Sequence, residues 1–467
     1  MEKSTTHSFW TFLLFPGIAM LLGWGLRGYI GGGPFGAMIP GAMVALAISI
    51  LLGFRPGFTS LVVVFGVAGV GLGGEMTYGQ TLGFLRNPDT VWWGTIGTTV
   101  KGAVWGLGGG AILALGLIHN RIPRKTIFLS FVFLLIGLAL GFKLINDPKL
   151  IYFSDPINKP RSESWGGLLF GAIALIVYLK YTLEKNDFKI ILRFASWGLF
   201  SGGLGFGLGG LWMVLGSQLQ DVMFASWWKM MEFTFGLLLG MGLGFAAWKN
   251  RKELIADNET EDDNSHLKLW QELVLIFLIS FGIYLAFPAL LEPIADHLTY
   301  ENGWLSGIAG DVIGVFINFA FYGFIMVLIV VYRNALAWQI GITLTFCHTI
   351  IDLMRDLRPQ PDVHVNQWLQ FLVVTIVTMI VAYLVALYRQ RKNINNSMMQ
   401  ILVWSTTIVA FISLFSDIFI EGMFQYTNFA ALIVKTLFVH IVFISSALFV
   451  SWKSSTFSTV VLIESRS

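Results

Sequence analysis

Residues Gly69–Gly74 read Gly-Val-Gly-Leu-Gly-Gly, and residues Gly205–Gly210 read Gly-Phe-Gly-Leu-Gly-Gly. The first is followed after 17 residues by Trp92–Trp93, and then by glycines at 102, 106 and 110. The second is followed after 16 residues by Trp227–Trp228, and then by glycines at 236, 240 and 244. Upstream, Gly32-Gly33-Pro34-Phe35-Gly36-Ala37 echoes the Gly166–Ala172 stretch. Landmarks recurring in one order at nearly one spacing point to a tandem repeat, with residues 1–124 as one membrane module and 125–250 as its copy.

Both hexapeptides match the dinucleotide fingerprint G-x-G-x-x-G. That motif works only between a strand and a helix N-terminus, and here it lies inside long apolar runs. The fingerprint is therefore rejected. Glycines at i, i+2 and i+4 fall on opposite helix faces and weaken a helix locally, so a discontinuous span at this point is one expectation. Glycines 102/106/110 and 236/240/244 instead share one face at i, i+4, i+8, as close backbone packing between helices in lipid requires. Packing alone is the bland account of these stripes; faces that slide or line a narrow path are the functional one.

Composition fixes the class. Over 467 residues the chain is 55% hydrophobic and 12% charged, with a mean hydropathy of +0.72, too apolar for a soluble globular fold. An all-α, polytopic integral membrane protein follows. A span needs about 20 mostly apolar residues, and on that rule about 14 helices are expected: four in each module and six in a bundle over residues 269–467. A charged linker at 251–268 separates the bundle from the modules, and 43 of the 51 glycines precede it. Most lysines and arginines fall after the even-numbered spans, at Arg55, Arg121, Lys185, Lys249, Arg333, Arg389 and Lys453 among others. By the positive-inside rule both termini are cytoplasmic, in a plasma (inner) membrane. The first apolar run, lacking a small-x-small cleavage site, reads as a retained span. Tryptophans gather at span ends, with Trp105 the main exception.

A formal net charge of +3 gives no case for a nucleic-acid partner, and a single cysteine, Cys347, allows neither an intrachain disulfide nor a thiolate metal cage. No cofactor or metal is expected. No Walker A sequence occurs, which excludes P-loop ATP hydrolysis by this chain.

Ionisable residues within spans are the candidates for a solute or proton path. Glu75 follows the first hexapeptide, and Lys101 lies inside the fourth span at matching depth, so the two are expected to pair. Aligned on the repeat, their counterparts are Leu211 and Phe235, while the second module carries Lys229 and Glu232. In the C-terminal bundle His348, Asp352 and Asp356 lie one helical turn apart, as do Asp417 and Glu421, with Lys435 as a partner. A structural ion network is the plain reading of all these groups.

Three functions suit this pattern. The first is a transporter of a small solute, ion- or proton-coupled, with its site between the modules and the third, fourth, seventh and eighth helices meeting at the centre. The second is a membrane enzyme acting at the outer face on a lipid-linked or glycan substrate, with His348 as base and Asp352 orienting it. The third is a non-catalytic complex subunit. The sequence is silent on oligomeric state.

Overall fold

The computed structural model describes residues 7–27, 33–155, 163–219, 226–255, 267–282, 319–347, 350, 367–391, 393–416 and 429–464. Every regular element among them is helical. Residues 1–255 form α1 (Phe9–Arg27), α2 (Gly33–Leu51), α3 (Pro56–Gly73), the short α4 (Gly79–Phe84), α5 (Val91–Leu117), α6 (Arg124–Gly141), α7 (Trp165–Thr182), α8 (Lys185–Gln218) and α9 (Trp227–Ile255). Beyond them come α10 (Leu269–Phe281), α11 (Phe319–Tyr332), α12 (Gln367–Tyr388), α13 (Ile394–Ser416) and α14 (Phe429–Glu464). Nine of the described helices are long and apolar enough to cross a membrane, and Phe35–Leu51, Leu269–Phe281 and Gly323–Tyr332 are shorter apolar ones. These lengths and compositions fit a membrane-embedded helical protein.

The eight helices expected in residues 1–250 are all present, with different ends. α3 stops at Gly73 rather than near residue 80, and a turn leads into α4. α8 is longer than its apolar run, because the polar segment from Lys185 continues the helix. Its 34 residues span roughly 50 Å at 1.5 Å per residue, well beyond the hydrocarbon core. The second hexapeptide lies inside this helix without a break, so the discontinuous span expected there is absent. Enough backbone contact surrounds these glycines to outweigh their poor propensity. The first hexapeptide does coincide with a helix end.

Lipid supplies little hydrophobic drive for two helices to meet, so contact depends on close van der Waals fit. α5 and α8 achieve it with glycine on both sides. A Cβ built on Gly102 would overlap the Gly202 carbonyl, and one on Gly106 the Gly198 carbonyl, with the same overlaps seen in reverse from α8. Gly110 meets the Phe194 carbonyl in the same way. α8 is consequently an inverted helix: Gly198, Gly202, Gly205 and Gly209 are buried, while Leu199, Leu204, Leu208 and Leu211 face outward. α2 and α3 repeat the device at Gly41 and Gly66.

The second stripe finds a different partner. Gly236, Gly240 and Gly244 of α9 pack on α1, where a Cβ at Gly240 would lie 2.6 Å from the Pro16 carbonyl oxygen and 2.9 Å from the Gly17 Cα. Gly244 approaches the Phe12 carbonyl, four residues before Pro16. Proline has no N–H to give that carbonyl, so a Cα–H contact from glycine suits it. α3 packs on α5, α5 on α8 and α8 on α9, so the four helices expected at the centre are serial neighbours. α1 joins them through α9.

At the end of α5 that carries the basic residues, His119 sits in a one-turn 3₁₀ segment against Phe58, with ring centroids 4.4 Å apart. Its Nδ1 lies 2.7 Å from the Gly116 carbonyl oxygen. Burial pushes the imidazole down from 6.5 to about 4, with the Gly116 hydrogen bond opposing.

Two predictions follow from the packing and from this ring. Gly106→Ala should lower thermal stability in detergent, since overpacking costs about 1–3 kcal/mol. Gly108→Ala, whose added methyl would meet only Ala172 Cβ at 3.8 Å, should be neutral or mildly stabilising. Equal melting temperatures for the two variants would mean that α5 does not meet α8 backbone to backbone. A histidine with a depressed folded pKa binds fewer protons folded than unfolded. Its contribution is therefore complete above pH 6.5 and declines as the pH falls toward 4. His119→Gln should flatten that part of the stability–pH curve, and an unchanged slope would remove His119 as its source.

Candidate functional site

The glycine contact between α5 and α8 sets the position of the next face of α5, which carries Lys101 and Trp105. Both are 1% exposed. Trp105 fills the space opened by Gly73 at the end of α3, and its Nε1 donates to the Val70 carbonyl at 2.7 Å. The one tryptophan that sequence left outside the interfacial belts is thus a core residue.

Lys101 does not take Glu75 as its ion-pair partner. Its Nζ lies 2.8 Å from Glu163 Oε1, in the segment preceding α7, and both side chains are 1% exposed. The same nitrogen donates to the Thr77 carbonyl at 2.6 Å and to Thr81 Oγ1 at 2.8 Å, which uses all the donors of an ammonium group. Glu163 in turn accepts from the Phe153 amide and from Ser154 Oγ. Glu75 lies close by through its backbone, whose carbonyl accepts from Ser164 Oγ at 2.6 Å. The physical reason for the exchange is the early stop of α3, which leaves Glu75 on a turn. Spacing within the sequence carried no signal for Glu163, because it reaches Lys101 from 62 positions away.

Lys229 and Glu232 of α9 do pair, at 2.8 Å and one helical turn apart. Lys229 Nζ also donates to the Gly25 carbonyl of α1 at 2.7 Å, and Trp228 Nε1 donates to Glu232 Oε1 at 2.9 Å. Breaking a buried pair of this kind costs about 3–5 kcal/mol because one charge is left without compensation.

Arg27, the last residue of α1, was missed as a site residue. It is 1% exposed. One Nη donates to the Tyr78 hydroxyl, and the other donates to the Gly33 carbonyl at 3.2 Å; the buried Nε has no partner. Among the described residues no carboxylate lies within ion-pair distance of it. Aromatic rings stand around the guanidinium, with the Tyr78 centroid at 4.9 Å, Trp105 at 5.0 Å and Trp24 at 5.8 Å. Cation–π attraction and the α1 C-terminus both favour the charge, but neither occupies the remaining donors. A visible clue existed: a lone arginine closing an apolar run, with no acid near it in sequence.

Tyr78 links these groups. It lies on the turn after α3, stacks on Trp228 at 6.0 Å and meets Phe206 edge-on at 5.2 Å. Burial raises its phenol to about 12, with the Arg27 charge opposing and Glu232 adding to the rise. The hydroxyl therefore stays protonated and neutral.

A second buried network ties α10 to α12. Arg389 meets Glu272 at 2.7 Å, and Gln339 bridges Glu272 to the Ala382 carbonyl. Arg389 also donates to the Ala335 carbonyl, and Thr343 to Gln339. With these partners it reads as a brace. His348, Asp352 and Asp417 lie outside the described residues, as does the side chain of Lys435. A cavity of about 10 Å³ beside Trp105, lined by Gly69, Gly73, Gly108, Gly109 and Leu168 among others, has room for about one water.

No family model, curated protein or solved structure matches the chain.

The Lys101–Glu163 pair generates a direct test. Lys101→Met and Glu163→Gln should each destabilise by about 3–5 kcal/mol, and the double variant by clearly less than their sum. Unfolding of all three in detergent measures the coupling. Strict additivity would show that the two charges do not depend on each other.

Proposed function

We propose that the protein is a multi-pass membrane transporter of a small charged solute, and that the solute passes through the layer of buried charges where α1, α3, α5 and α9 converge. The observation that carries this reading is the charge content of that layer. Arg27, Lys101 and Lys229 are buried there, Lys101 paired with Glu163 and Lys229 with Glu232. Desolvated charge in a membrane protein is expensive and marks solute and ion pathways by default.

The tandem repeat belongs to the same proposal. Arg27, Tyr78 and Lys101 come from the first module, and Glu163, Lys229 and Glu232 from the second, so a rearrangement between modules would open or close the layer. The closed packing beside Trp105 suits an occluded state, from which a transporter reaches either side by rocking one module against the other. Ion or proton coupling would act through the same charged groups. Lipid surrounds the protein on the leucine-bearing faces, and the solute is its other partner.

Purified protein in liposomes tests the proposal. Concentration jumps of carboxylates, amino acids, inorganic ions and sugars, read by solid-supported membrane currents and isotope uptake, should give saturable flux for at least one charged solute. Folded protein that moves none of them faster than empty liposomes would defeat the transport reading.

A further inference from the structure

Arg27 differs from the other buried cations in having spare capacity. A guanidinium offers five N–H donors in a fixed fork, and only two are engaged, one by Tyr78 and one by the Gly33 carbonyl. The unpartnered Nε belongs to the side-on edge of that fork, whose geometry matches the two oxygens of a carboxylate. Lysine can turn its donors toward whatever is near, as Lys101 and Lys229 do; the planar fork cannot.

The surroundings define the ligand further. Lys229 and Glu232 pair with each other at 2.8 Å, and among the described residues no carboxylate lies within ion-pair distance of Arg27. A monoanion balances it. The nearest rings to the guanidinium are those of Trp24, Tyr78 and Trp105, flat and apolar apart from one hydroxyl and the indole N–H groups. They suit a short aliphatic or aromatic body and offer little to a strongly hydrated multivalent ion. The Tyr78 hydroxyl already accepts from the guanidinium, as a neutral stand-in for an anionic oxygen. Tyr78 also sits between α3 and α4 rather than inside a helix, so its side chain is not held in helical register.

We propose that Arg27 is the anchor of a binding site for a small monocarboxylate, held side-on by Nε and Nη and flanked by Trp24, Tyr78 and Trp105. This deepens the transport reading by naming the solute class, and rests on it for the purpose of the site. Binding itself is a separate matter and is measured separately.

The full chain in detergent is titrated with sodium acetate, propionate and benzoate, against sodium chloride and sodium phosphate at matched ionic strength. Tryptophan fluorescence reports the site directly, because three tryptophans stand around Arg27 and Tyr78. At least one carboxylate should give a saturable change that chloride and phosphate do not. Arg27→Lys keeps a charge but loses the fork, and should weaken the response by about tenfold or more. Tyr78→Phe keeps the ring but frees the Nη that the hydroxyl occupies, and should strengthen it several-fold, which keeps the test decisive where Arg27→Lys does not fold. Absence of a saturable carboxylate response in the wild type overturns the proposal. So does a response to phosphate alone, an undiminished response in folded Arg27→Lys, or a response in Tyr78→Phe no stronger than wild type. Saturable carboxylate binding without flux in liposomes would keep the site and remove the transport reading. Flux of an uncharged or cationic solute without carboxylate binding would do the reverse.

Discussion

Backbone-to-backbone contact between α5 and α8 is the constraint on which the rest of the layer depends. In lipid the apolar side chains have no reason to leave their surroundings, so leucine can face outward and glycine inward. That reversal lets Gly106 and Gly198 meet without a side chain between them. Once α5 is held there, its adjacent face is fixed as well. Trp105 is driven into the gap at Gly73, and Lys101 is carried to a depth where it needs partners. A bulkier α5–α8 interface would move both residues and disconnect the hydrogen bonds that satisfy them.

The buried charges divide by how fully they are satisfied. Lys101 has a carboxylate, a hydroxyl and a carbonyl, and Glu163 has further donors of its own. Such a closed set fixes the α3–α4 turn, the segment before α7 and α5 against one another, and it uses all three ammonium donors of Lys101. Glu272 and Arg389 form a similar closed set in the C-terminal bundle. Arg27 is the contrast. Its charge is stabilised by diffuse attractions to aromatic rings and a helix end, which offset desolvation without using its directional donors.

What the sequence made legible followed from local periodicity. Apolar run length located the eight long helices of residues 1–255 but not the short α4, and the i, i+4, i+8 glycines marked two faces that are buried. The partners of those faces were not legible, because one face of glycine looks like another: the first stripe meets α8 and the second meets α1. The Lys229–Glu232 pair could be read because it is one turn long. Lys101–Glu163 could not, because its two ends come together only after the chain has turned back through α6. Arg27 was obscured by its position at a span end, where an arginine ordinarily reaches water.

Position within the fold separates the rigid parts of the layer from Tyr78. Its rigid parts rest on helices joined by glycine: α5 on α8, and α9 on α1. Tyr78 is different in kind, since α3 has ended five residues earlier and α4 begins after it. The residue that touches the Arg27 fork is therefore the one least constrained by helix geometry. Its phenol, kept neutral by burial, gives the guanidinium a hydrogen bond but no charge. An anion gives both. Because the carbonyl of its neighbour Thr77 is held by Lys101, that exchange falls to the Tyr78 side chain while the turn and the helices around it stay in register.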